Sequence, residues 1–314
     1  MNIIFIHGMN QQQQTAQSLE KRWLNLLEQS LKNIHQHCQF SYLKQHFRMP
    51  FYGDLLSRHH LENTLSASTL MPQTWPHIPF IHPAKTQAQH AKIDEHQPET
   101  IPLPEMQMND SHSFQHELHE LGALSKDYAL RDFALLMNYF PKLHATLLQK
   151  FLVETYLYLS NPHFIREVHQ RIHKQLHTSK PNVLVAHSLG SVIAYHFLLL
   201  HPELKITHFI TLGSPLAFRV IQGHLPQPIQ RPKAILGDWI NFYSHDDFLT
   251  AFPLQKAPFD FSPAIINHQI RTSIDRPHDI DGYLKHPDVI NAIVNTFKNP
   301  AQTMYFSNIP ARLF

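Results

Sequence analysis

The sequence predicts an α/β protein: a mostly parallel central sheet flanked by helices, with a largely helical insertion dividing the core. Three observations predict it. Strand-like and helix-like runs alternate at both ends of the 314-residue chain. A β-branched run at 182–186 leads almost directly into an apolar helix at 189–200. From about 57 to 111 the pattern gives way to Pro, His, Gln and Ser, and a structureless stretch of that length is an insertion rather than part of a compact core. The expected division is a discontinuous core, 1–56 and 158–314, around a cap or lid at 57–157 that is not an independent domain.

Asn2–Ile6 is a short apolar strand ending at His7-Gly8. Leu19, Trp23, Leu26 and Leu27 are spaced for one buried helix face. Residues 39–47 read as a second strand, followed by a turn at "FYGD", 51–54. Within the insertion, 113–122 and 128–158 recover helical spacing, with an apolar stripe from Leu130 to Leu152 interrupted at Pro141. A helix is predicted at 163–177 and strands at 182–186, 205–211, 239–243 and 264–272. The last helix starts at Pro287, a favoured first helical position, and buries Val289, Ile290, Ile293, Val294 and Phe297.

Composition narrows the function. With 43% hydrophobic and 16% charged residues the chain has the means to build a core. Cys38 stands alone, which excludes an internal disulfide and a cysteine zinc site. A net charge of +2 makes no electrostatic case for nucleic acid, and no G-x-x-x-x-G-K loop is present. No run reaches the ~18 apolar residues of a membrane span, and "MNIIFIHG" has neither a basic start nor a cleavage site. A cytoplasmic protein is expected, with export lacking a cleavable leader left open. The 27 histidines are read as compositional bias, although acid would charge them.

The most informative segment is "NVLVAHSLGSVIAYHF", 182–197. A strand, a sharp turn and a helix in immediate succession are the setting of a nucleophile elbow, with Ser188 at the bend. Such a bend needs small residues two positions to either side, and Ala186 and Gly190 supply them. The Leu189 N–H at the start of the helix is one candidate oxyanion donor. The loop after the first strand offers a second, the Met9 N–H, with Asn10 next, because Gly8 lets the backbone approach closely. A serine hydroxyl needs a base, and the base an orienting acid. Asp246 and Asp247 follow one late strand, and His278 follows the next.

On "IFIHGMN", "VAHSLGSVIAY", "FITLGSPL", "WINFYSHDDFL" and the late His278, the sequence resembles the serine hydrolases of the α/β-hydrolase superfamily, on the lipase and esterase side. The resemblance covers the start of the chain and most of 160–300. It implies the α/β-hydrolase fold and a Ser188–His278–Asp247 triad cleaving carboxylic esters, without cofactor or metal. It favours Asp247 over Asp246 because the acid of bacterial relatives lies six residues after the asparagine of a W-x-N segment, here Asn241. Ala186 replaces the common glycine, and His278 stands further from Tyr283 than is usual. His268 is expected inside a strand, His286 at a helix start and His245 beside the acid.

The implied partner is a small-molecule or lipid ester, with peripheral lipid contact through the cap as one use of its apolar stripe. An amidase or peptidase using the same triad, and a non-catalytic interaction protein on the same scaffold, are the alternatives. His169, His173 and His177 recur every four residues on the predicted helix and so share a face that is either solvated or metal-binding. "HELHE" at 116–120 has the wrong spacing for H-E-x-x-H. Ser214 lacks an immediately following helix pattern.

Overall fold

Alternate residues of β1 (Asn2–Ile6) pass to opposite faces of the sheet: Ile3 and Phe5 join one apolar cluster, Ile4 and Ile6 the other. β3 (Asn182–His187) divides Val183 and Val185 from Leu184 and Ala186 in the same way. A strand buried on both faces needs no polar side, which is why these segments read as unbroken apolar runs. The computed structural model describes residues 1–58 and 151–298, apart from residues 152, 153, 156, 178, 248, 249, 251 and 274. The expected helices at 113–122 and, for the most part, 128–158, together with the "HELHE" run, lie outside the described residues.

Four further strands, β2 (Phe47–Arg48), β4 (Ile206–Leu212), β5 (Ile235–Ser244) and β6 (Ile266–Ile270), complete a six-stranded sheet ordered β2-β1-β3-β4-β5-β6. Every neighbouring pair is parallel. Among the described residues the helices include α1 (Ala16–Asn33), α2 (Phe40–His46), α3 (Pro162–His173), α4 (Leu189–Leu200), α5 (Ile280–Leu284) and α6 (Pro287–Lys298). α1 and α6 cover the face carrying Ile3 and Phe5, and α3 and α4 cover the other. The protein is thus an α/β fold on an all-parallel sheet.

Local chemistry explains the ends of these elements. Thr15 and Ser18 form a reciprocal capping box at the start of α1, and Leu19, Trp23, Leu26 and Leu27 are buried on its inner face. Each such side chain contributes roughly 2 kcal/mol on burial. Asn161 caps α3 by accepting from the N–H groups of His163 and Phe164, both at 3.0 Å. α6 begins at Pro287 and buries Val289, Ile290, Ile293 and Val294 as expected, with Phe297 only partly covered.

The strand expected at 39–47 is instead α2, and only Phe47 and Arg48 pair with β1. Phe40, Leu43 and Phe47 stand three and four residues apart, a helical period that a short alternating run conceals. The helix expected at 163–177 stops at His173 and ends in a turn. α5 answers to no expectation. No helix among the described residues is long and apolar enough to cross a membrane.

The sheet order places a switch point between β1 and β3. The chain turns outward to β2 on one side and to β4 on the other, leaving a crevice at the carboxyl ends of β1 and β3, where open parallel sheets bind ligands. His7–Asn10 and Ser188–Gly190 are the residues at those two ends.

Candidate active site

Ser188, between β3 and α4, has φ 53° and ψ −129°. Left-handed backbone at a residue with a Cβ costs on the order of 1–3 kcal/mol and persists only where the surroundings impose it. Here they do. Its N–H donates to the Leu212 carbonyl at 3.0 Å, extending the β3–β4 ladder through the bend. Its carbonyl accepts from the Ser191 N–H at 2.8 Å and from Ser191 Oγ at 2.6 Å. Ser191 Oγ is also 2.8 Å from Ser214 Oγ, so Ser214 braces the bend from outside it.

The crowding around the bend accounts for its glycines. A Cβ on Gly190 would lie 2.3 Å from the His7 carbonyl oxygen and 2.5 Å from that of Ile6. One on Gly8 would lie 2.8 Å from Ser188 Cβ. Gly190→Ala therefore drives a methyl group into backbone. The expected loss is about 3 kcal/mol of stability, measured as a lower urea midpoint, and an unchanged midpoint would contradict this packing.

The turn before α5 delivers His278. Its Nε2 lies 2.6 Å from Ser188 Oγ, and its Nδ1 lies 2.8 and 3.0 Å from the two carboxylate oxygens of Asp247. A carboxylate only accepts, so Nδ1 carries the proton and Nε2 is left to accept from the serine. Ser188 and Asp247 have no exposed surface and His278 is 6% exposed. Asp246 is exposed, with its backbone N–H on Ser244 Oγ. Of the two aspartates, it is Asp247 that the structure brings to His278. His268 lies in β6 stacked on Phe242, His245 sits exposed in the turn after β5, and His286 directly precedes α6.

Three neighbours of this set were not singled out from the sequence for a role. The Tyr283 hydroxyl donates to Asp247 Oδ2 at 2.6 Å and lies 3.1 Å from Thr250 Oγ1. Burial, and then the adjacent Asp247 charge, push the phenol well above its ordinary pKa, so it remains a donor. His187 Nε2 is 3.0 Å from the His278 carbonyl oxygen and can only donate to it, which fixes the His187 tautomer. Burial, and then the neighbouring His278, hold His187 well below the usual histidine pKa. Gly213, at φ 55°, leaves room for this group: a Cβ there would meet the Tyr283 ring at 3.0 Å and Asp247 Oδ2 at 3.1 Å.

Two backbone segments with candidate donors border the crevice. The Leu189 N–H is the first of α4 and one of the donors that a helix leaves unbonded at its positive end. In the β1 loop, the Asn10 N–H is committed to Glu154, 3.0 Å from each of its carboxylate oxygens. Met9 thus remains the donor to consider there. His7 stiffens this loop. Its Nε2 accepts from the Tyr52 N–H at 3.1 Å, so Nδ1–H donates to the Gly8 carbonyl at 2.8 Å, and the Tyr52 hydroxyl donates to the His7 carbonyl.

The histidines of α3 do not form one solvated face. His169 is buried, with Nε2 2.8 Å from the Tyr158 hydroxyl, which is itself 3.0 Å from His196 Nδ1. His173 is exposed, and His177 lies beyond the helix end. Among the described residues the group with metal-ligand spacing is His173, His201 and Glu203, at the opposite end of α4 from Ser188.

Burial lowers the pKa of His7 to about 4, of His196 to about 4 and of His169 to about 3. In the unfolded chain each binds a proton near pH 6.5, so the unfolded state holds more protons between those values. Their contribution is complete above pH 6.5 and is lost as pH falls toward 4. The expected result is an unfolding free energy, read from urea titrations, that drops steeply over that window, by several kcal/mol in all. A flat profile would contradict their burial.

No family model, curated protein or solved structure matches the chain.

Proposed function

We propose that this chain is a serine hydrolase with an α/β-hydrolase fold, cleaving carboxylic esters through an acyl-enzyme intermediate. One observation carries the reading: a serine held in left-handed backbone lies 2.6 Å from an imidazole whose other nitrogen is held by a buried carboxylate. An N-cap serine has no use for that arrangement. The strand order supports the fold reading, because the bend stands at the switch point.

In this mechanism Ser188 Oγ attacks the ester carbonyl carbon while its proton passes to His278 Nε2. The imidazolium so formed is stabilised by Asp247, whose charge is positioned by the Tyr283 hydroxyl. The carbonyl oxygen, now negative, is met by the Leu189 and Met9 N–H groups. His278 returns the proton to the departing alkoxide, leaving an acyl group on Ser188. A water molecule, deprotonated by His278, then releases the carboxylic acid and restores the serine. The triad's burial strengthens each of these charge interactions. No step calls on a metal or organic cofactor.

Rates with p-nitrophenyl esters of increasing acyl length, beside a phospholipid and a p-nitroanilide, test the bond type. Ester hydrolysis that exceeds anilide hydrolysis supports the reading, and the reverse order would move it to the amidases.

A further inference from the structure

The carboxyl ends of α3 and α4 lie together on one face of the sheet. His173 is the last residue of α3 and His201 the C-cap of α4, with ring centroids 5.6 Å apart. Glu203 follows two residues later, and its Oε1 is 3.0 Å from His201 Nδ1. One ligand atom from each of the three residues falls within 4.8 Å of the others. Donors bound to one tetrahedral ion at 2.0–2.2 Å stand roughly 3.3–3.6 Å apart. Small side-chain rotations therefore bring all three onto a single ion.

The surroundings suit such a site. The His201 ring packs on Phe197 at 4.3 Å between centroids, which holds it at the helix end. His169, one turn before His173, is fixed beneath by Tyr158 and lies 6.5 Å from the His201 ring. His173 and Glu203 are exposed and His201 is half-buried, so an ion can enter from solvent and keep water as its remaining ligand. Two imidazoles and one carboxylate are the donor set of a borderline transition metal, not of calcium or magnesium.

We propose that His173, His201 and Glu203 bind a divalent transition metal of the zinc class, clamping the end of α3 to the connection between α4 and β4. The twelve residues of α4 span about 18 Å. That length separates the ion from Ser188 and gives it a stabilising role, outside the chemistry of the triad.

The test uses the full chain, stripped of metal with a chelator, and reads Co2+ absorption in the visible together with Zn2+ calorimetry. One Zn2+ equivalent is expected to bind ahead of any weaker sites and to raise the unfolding temperature. His201→Gln and His173→Gln should each weaken that equivalent by at least about tenfold, and Glu203→Gln should weaken it measurably. His177→Gln, beyond the helix and outside the cluster, should leave it unchanged. Unfolding temperatures of the metal-free variants should match that of the metal-free parent, which separates lost binding from lost folding. Binding insensitive to both His201→Gln and His173→Gln, or none up to about 1 mM Zn2+, would overturn the proposal. Neither readout depends on the proposed hydrolase activity.

Discussion

Ser188→Ala should lower kcat for ester hydrolysis by about a million-fold, leaving only what the binding site and backbone donors achieve unaided. The substitution removes a single oxygen. The backbone that holds the bend is retained, because its hydrogen bonds run from the Ser188 N–H and carbonyl and from Ser191, not from Ser188 Oγ. The urea midpoint should therefore stay close to that of the parent, and KM should change little. A loss of less than tenfold would mean that another group is the nucleophile.

Asp247→Asn should lower kcat by about 10,000-fold with the fold intact. The His278 Nδ1 proton is shared between both carboxylate oxygens, at 2.8 and 3.0 Å. Tyr283 already donates to Oδ2. An asparagine that keeps its oxygen for Tyr283 turns its amide N–H toward Nδ1, which favours the tautomer protonated at Nε2. That nitrogen can no longer take the serine proton. The charge that stabilises the imidazolium is lost as well. Asp246→Asn, at an exposed residue, should leave kcat within about twofold, and equal losses in the two variants would contradict the assignment.

The parts of this arrangement that were legible in the sequence share a physical cause. β1, β3 and α4 are buried on both faces or all round, so their sequences are apolar without interruption and their limits are sharp. Gly8 and Gly190 marked the two loops of the crevice because side chains there would overlap backbone or Ser188 itself. The chain order of Ser188, Asp247 and His278 was readable because each follows a strand, β3, β5 and β6 respectively. Adjacent Asp246 and Asp247 were not separable by residue type, since only the turn after β5 decides which of them points inward.

Other features leave no local trace. α2 presents a single buried residue, Leu43, so its period is faint and a seven-residue helix passes for a strand. Tyr283 and His187 reach Asp247 and His278 across the sheet's carboxyl edge, contacts joining residues 36 and 91 positions apart. The commitment of the Asn10 N–H to Glu154 spans 144 positions. The clustering of His173 with His201 and Glu203 was likewise masked, because the even spacing of His169, His173 and His177 suggested a single helix face and the chain folds a different partner against it.

The central claim is that Ser188 Oγ is made nucleophilic by His278. The most direct measurement is labelling of the folded protein with a small fluorophosphonate, chosen because Ser188 has no exposed surface, followed by mass spectrometry of the modified peptide. The account predicts one adduct per chain, on Ser188, absent from Ser188→Ala and from denatured protein. Labelling that persists undiminished in Ser188→Ala, or a folded parent that takes up no label, would contradict it.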